Sequence, residues 1–192
     1  MGTIIEKGTK RERLRRLARR FLRSDRGVTV IEFALVGPLF FAIIGATIET
    51  ALAFFAGYAL DAAIIDTSRL IRTGQSAYVT QSQSSADNYR AAVCGQLYGI
   101  FDCDALRISV REIGSFSSFA DHLTVDPLDP ASGAWTMTER YDGAMGSRTM
   151  MIEAYYKWPV IINVPGLVPN ATADGKRLLA ATHVIRTEPF PS

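Results

Sequence analysis

The sequence predicts an α+β protein, in which a long N-terminal transmembrane helix continues into a small head with a short helix and an antiparallel sheet of about three strands. Three observations carry this prediction. A basic leader stops at Gly27, and a nearly uncharged apolar run fills 28–60. Beyond it, short stretches of alternating apolar and polar residues are separated by segments rich in Gly, Ser, Asp and Pro. The division is a leader over 1–27, a long helix over 28–74 and a head over 75–192.

The charge supports that division. Residues 1–27 hold ten Lys or Arg against three acids, a net +7, whereas the other 165 residues hold eleven against sixteen, a net −5. The pI near 8.6 therefore describes the leader alone, and no nucleic-acid partner is expected of the chain. With 48% hydrophobic and 21% charged residues the composition is not that of a disordered protein.

In the leader, KRERLRRLARRFLR sets Leu14, Leu17, Phe21 and Leu22 at helical spacing among arginines. This is a basic amphipathic pattern that stays on the cytoplasmic side and favours anionic membrane lipid. In the run that follows, the charges before Asp61 are Glu32 and Glu49. As a helix, 33 such residues extend ~50 Å, more than the ~30 Å of a bilayer's hydrocarbon. Arginine before the span and net acid after it place the N-terminus in the cytoplasm and the head outside. Pro38, next to Gly37, removes one backbone donor and predicts a local kink. The helical pattern continues through a stripe of Leu60, Ile64 and Ile71, with Asp66 and Arg69 spaced to pair, to a C-cap at Gly74. One helix over Val28–Thr73 results.

A Ser/Gln linker, QSAYVTQSQSSAD, leads into the head. Ser84 or Ser85 is placed to cap a helix over Asp87–Phe101. LRISVREI (106–113) alternates as a half-buried strand, with Leu106, Ile108 and Val110 inward and Arg107, Ser109 and Arg111 outward. A long loop is expected over 114–147, a second strand over 149–162 bent at Pro159, and a third over 177–190. The turn-rich NVPGLVPNATADG joins the last two.

Cys94 and Cys103 enclose eight residues. With the head outside the cytoplasm a disulfide is the simple reading, and two unpaired buried thiols are the alternative. Two cysteines are too few for a usual zinc site unless both histidines join. His122 and His183 stand apart, and no HExxH, GxSxG, Walker or GxGxxG pattern occurs. No catalytic residue, cofactor or metal is therefore expected. Asp126 and Asp129 in DPLD fit turn chemistry. NAT at 170–172 has the form of a glycosylation sequon but occurs too readily by chance to carry weight. Tyr155, Tyr156 and Trp158 fit strand packing, or a subunit contact if they face solvent.

The stretch RGVTVIEFALVGPLFF places one carboxylate, Glu32, inside the apolar run. Ordinary signal cleavage at ALA (51–53) fits poorly, because the basic region is long, Glu49 interrupts the approach and the chain stays apolar beyond it. A cut after Gly27 fits better. Glu32 would then be the fifth residue of the mature chain, near a free α-amino group and the unpaired N–H groups of a helix start. An unpaired carboxylate in a membrane costs at least ~2.5 kcal/mol, so pairing with an α-ammonium of the same or a neighbouring chain would set helix register. A carboxylate solvated at headgroup depth is the alternative.

The leader, Gly, four residues and Glu-Phe before an apolar helix resemble the class III signal of type IV prepilins. The longer string RGVTVIEFALVGPLFFAIIGATIETALAF resembles the TadE-like family, minor pseudopilins of the tight-adherence (Tad/Flp) pilus machinery. Arg26, Gly27, Glu32, Phe33, Ala34, Leu35 and Pro38 match the family pattern; Ile31 stands where Val is usual; Glu49 fits a further helix carboxylate; and the closing IRTEPF is also similar. The related TadG-like proteins carry a much larger domain. The resemblance implies that a prepilin peptidase cuts between Gly27 and Val28, with Glu32 and Phe33 serving processing or assembly. It implies a structural, non-enzymatic subunit in the bacterial inner membrane with a periplasmic head. Its partners would be the peptidase, the major Flp pilin, a sibling pseudopilin and the inner-membrane platform with its secretion ATPase. The rival readings are an uncleaved single-pass protein with a periplasmic binding module, and a periplasmic enzyme.

Overall fold

The structure, a computed structural model, describes residues 14–15, 28–75, 83–114, 126–161 and 172–190. The expectations for the leader (apart from Leu14 and Arg15, which are helical), most of the Ser/Gln linker, His122, Asn170 and most of the connection before the last strand lie outside the described residues. The chain falls into two compact units, Met1–Gly45 and Ala46–Ser192.

Helix α1 spans Val28–Arg72, 45 residues with Pro38 inside it. It ends as its sequence predicts. Gly74 takes a left-handed backbone (φ +63°), the Gln75 N–H donates to Leu70 O, and the Gly74 N–H donates to Ile71 O. These two bonds are a Schellman cap. A second constraint acts at the same residue: a Cβ on Gly74 would stand 2.5 Å from the Phe190 ring. The spaced pair Asp66 and Arg69 forms no ion pair among the described residues. Arg72 instead approaches Glu188 at 3.7 Å, both exposed.

In the second unit α1 buries one stripe: Ala46, Glu49, Ala53, Ala56, Leu60, Ala63, Ile64, Thr67 and Ile71. The steps of three and four make one helical face. Its alanines let other elements come close. Thr67 tucks its hydroxyl onto Ala63 O and meets the Tyr89 hydroxyl at 3.2 Å.

Helix α2 covers Gln83–Gln96, not Asp87–Phe101. Ser84 and Ser85 lie inside its first turn rather than before it, and Leu97 to Ile100 form a turn. Tyr98 and Gly99 in that turn have positive φ, so the helical path cannot run through them. A single 3-10 turn, Cys103–Ala105, then leads to β1, Arg107–Glu112. Cys94 and Cys103 are joined by a disulfide with Cα atoms 6.0 Å apart, which closes a loop worth about 2–3 kcal/mol on chain entropy.

Strands β2, Thr149–Pro159, and β3, Lys176–Arg186, complete a three-stranded antiparallel sheet in the order β1-β2-β3. Ile108 pairs with Ala154, and Ile152 with His183. β2 stops at Pro159, which has no N–H to extend the ladder. β3 stops four residues short of 190. Thr187 turns the chain by accepting from the Arg148 N–H, and the Glu188 N–H then donates to Arg72 O. One core joins α1, α2 and the sheet through Leu60, Ile64, Tyr89, Val93, Val110 and Ile152.

The alternation expected of β1 fails at Ser109, which is fully buried rather than outward. Part of the expected loop, residues 139–142, runs along the edge of the strand. Tyr141 bridges Val110 in parallel, and Glu139 and Asp142 accept the Ile108 and Glu112 N–H groups. No described β1 edge donor at these positions is left for another strand, an arrangement that guards against edge pairing.

Candidate functional site

Val28 is the first residue of α1, and Gly27 lies just outside the described residues. The cut expected between Gly27 and Val28 lies at the first described residue of the long helix. Glu32 and Phe33 lie in its second turn and both are exposed. Glu32 has no hydrogen-bond or ion-pair partner among the described residues. The Phe33 ring lies over Gly37, one turn on, where a Cβ would stand 3.4 Å from it. Residues Val30 to Ile44 then present Val36, Leu39, Phe40 and Phe41 among a row of exposed apolar side chains. α1 is long and apolar enough to cross a membrane, and its bare half needs an apolar medium or apolar partners.

Glu49 behaves differently. It is 4% exposed, and its Oε1 accepts the Ile161 N–H at 3.3 Å. The end of β2 thereby satisfies the second carboxylate of the helix inside the head. From the sequence, Glu49 is a charge along the helix, and its bond to Ile161 is a contact that the sequence does not disclose. Its burial alone is signalled: Glu49 shares the stripe of Ala46, Ala53, Ala56 and Leu60.

Two ionic clusters brace the head. Glu139 accepts from Arg90 at 2.7 Å, Arg107 at 3.2 Å and the Ile108 N–H at 3.0 Å. Burial raises its pKa, but the Ile108 N–H and the Arg90 and Arg107 guanidinium groups outweigh burial and hold it below the usual value. Glu153, 3% exposed on β2, pairs with Arg111 and accepts the Tyr155 hydroxyl at 3.1 Å. Burial, with the adjacent Glu153 charge, pushes the Tyr155 phenol up to about 12. The first cluster ties β1 to α2 and to the segment that carries Glu139, and the second ties β1 to β2.

The three aromatic residues of β2 separate by face. Tyr156 lies in the core with its ring 4.8 Å from Phe101, and Trp158 is 5.7 Å from the same ring. Tyr155 points the other way, to Glu153. The DPLD aspartates act in turns: Asp126 accepts from the Leu128 N–H and Asp129 from the Ala131 N–H. His183 sits in β3, opposite Ile152. No group of three or more metal-ligating side chains occurs among the described residues.

A family model described as TadE-like protein matches residues 27–69. The match opens at Gly27 and closes three residues before α1 ends, so it covers the helix and none of the α2–β sheet region. It takes in the stretch 27–54 on which the sequence resemblance mainly rests, whereas the closing IRTEPF lies outside it. No curated protein and no solved structure matches the chain.

Proposed function

We propose, from a TadE-like segment that begins at Gly27, that this chain is a minor pseudopilin of a Tad/Flp pilus system. In this reading a prepilin peptidase removes residues 1–27, and the mature chain starts at Val28. α1 holds it in the bacterial inner membrane, N-terminus toward the cytoplasm and head in the periplasm. The protein works as a structural subunit of pilus assembly. It engages the major pilin, a sibling pseudopilin and the inner-membrane platform through its exposed helix and its head.

The family match over 27–69 is the observation that carries this reading. The position of the match supports it further, because Gly27 directly precedes a helix whose first half is bare and apolar. In this reading Glu32, exposed near the start of that helix, pairs with an α-ammonium of its own or a neighbouring chain. The leader supplies topology and is discarded.

Gene deletion with complementation tests the role. Deletion should abolish surface pili and adherence, and the wild-type chain should restore both. A chain with His122 and His183 both changed to Ala should restore them nearly as well. Full piliation without the gene would refute the assembly role. A severe loss confined to the double-histidine chain, at normal protein level, would favour an enzyme.

A further inference from the structure

Outside α1, the described head exposes four large hydrophobic side chains: Tyr98, Ile100, Ile161 and Val184. Three of the four gather at one end of the sheet. The Ile161 N–H bonds to Glu49, just past the end of β2. The turn carrying Tyr98 and Ile100 is anchored to the same end: Phe101 stacks on Tyr156 and Trp158, and the Asp102 N–H donates to the Tyr156 hydroxyl at 3.3 Å. The start of β3 completes this end, where the Arg177 guanidinium lies 5.1 Å above the Phe54 ring. Phe54 and Phe55 are themselves exposed. At the opposite end of the sheet, the Glu188 N–H meets Arg72 O.

Tyr98 is 83% exposed and Ile161 76% exposed. Such side chains are costly to leave in water and gain nothing from the head's own core. The turn holding Tyr98 is fixed at its base by the Cys94–Cys103 disulfide, so its position is set without Tyr98 packing inward.

We propose that this end of the head is a membrane-contact surface, which seats Tyr98, Ile100 and Ile161 in the phospholipid headgroup layer of the bilayer that α1 spans. The inference rests on the membrane-spanning reading of α1. Helix arithmetic supports it independently of the exposed residues. A span of ~20 residues starting between Val28 and Phe33 ends between about Ile48 and Ala53, since ~30 Å of hydrocarbon takes ~20 residues at 1.5 Å each. Glu49 and Phe54, the residues that touch the end of β2 and the start of β3, lie at that boundary. Aromatic rings with a cation beside them suit a bilayer interface, where the ring body is apolar and the charge stays wet. The head is thus seated on the surface, and α1 cannot slide along its axis without drawing Ile161 and Tyr98 out of the lipid or Glu49 away from β2.

Depth measurement on the full-length chain in phospholipid vesicles tests this. A spin label is placed singly at Tyr98→Cys, Ile161→Cys, Val184→Cys and Phe41→Cys, with the native disulfide intact. Oxygen and water-soluble nickel accessibilities then give the depth of each. Labels at 98 and 161 should lie within about 5–10 Å of the headgroup–acyl boundary. The label at 184, some seven strand residues from Arg177 and so ~23 Å along β3, should be aqueous, and the label at 41 should lie in hydrocarbon. Aqueous readings at 98 and 161 with hydrocarbon at 41 overturn the contact surface alone. A membrane reading at 184 overturns the proposed seating. An aqueous reading at 41 overturns the spanning helix and the surface with it.

Discussion

Glu49 lies inside the head, where the Ile161 N–H satisfies it, whereas Glu32, seventeen residues earlier on α1, is exposed among apolar side chains. The two carboxylates therefore have different energetics. A charge already satisfied within the chain makes no demand on a partner. One left near the start of an apolar helix is stabilised by a cation or by the helix N-terminus. Glu32→Ala should accordingly leave membrane insertion intact and impair pilus assembly. Normal piliation by that variant at normal protein level would show that Glu32 sets no register. Gly74 supports a second prediction. Its left-handed φ and the Phe190 ring both exclude a Cβ. Gly74→Ala should therefore cost about 2–4 kcal/mol of head stability in denaturant titration, the sum of a left-handed alanine and local overpacking. A loss under about 0.5 kcal/mol, the level of an ordinary surface change, would contradict the cap.

Elements meet through the ionic clusters. Glu139, in the segment that covers β1, holds Arg90 of α2, Arg107 of β1 and the β1 backbone. Its pKa is lowered in the folded chain. The ionised form therefore stabilises the fold at neutral pH, and that contribution is lost as pH falls through the lowered value. Wild-type stability should drop more steeply across the acid range than that of Glu139→Gln, followed by denaturant unfolding at a series of pH values. Equal slopes would mean that Glu139 braces nothing. The same segment shows what the sequence could convey. The Leu60, Ile64 and Ile71 stripe, the Gly74 cap and the three strands were legible, because each follows from periodicity or from a single backbone requirement. Ser109 was not: it is fully buried, and a strand's own alternation holds no record of what covers its second face. The early end of α2 was obscured because Leu97 and Phe101 keep helical spacing through a turn whose Tyr98 and Gly99 leave the helix. The placement of Glu49 needed the partner strand, although its stripe could be read.

Across the whole molecule, α1 changes function along its length. Over residues 46–71 one face of the helix joins the core of the head, with alanines along it. The earlier part carries exposed apolar side chains that a soluble domain would not leave in water. The TadE-like match covers both parts of this one helix, while the head beyond it is built by local packing, a disulfide and ionic braces. In the proposed reading, a junction at Gly27 and Val28 would give the arrangement its logic, with orientation supplied before the cut and a membrane-held subunit after it. Intact mass and N-terminal sequencing of the chain from membranes of peptidase-competent cells test that junction most directly. The account predicts a mature chain beginning at Val28, and the uncut chain when Gly27 is replaced by Leu. Retention of Met1–Gly27 on the wild-type protein in those membranes would contradict it.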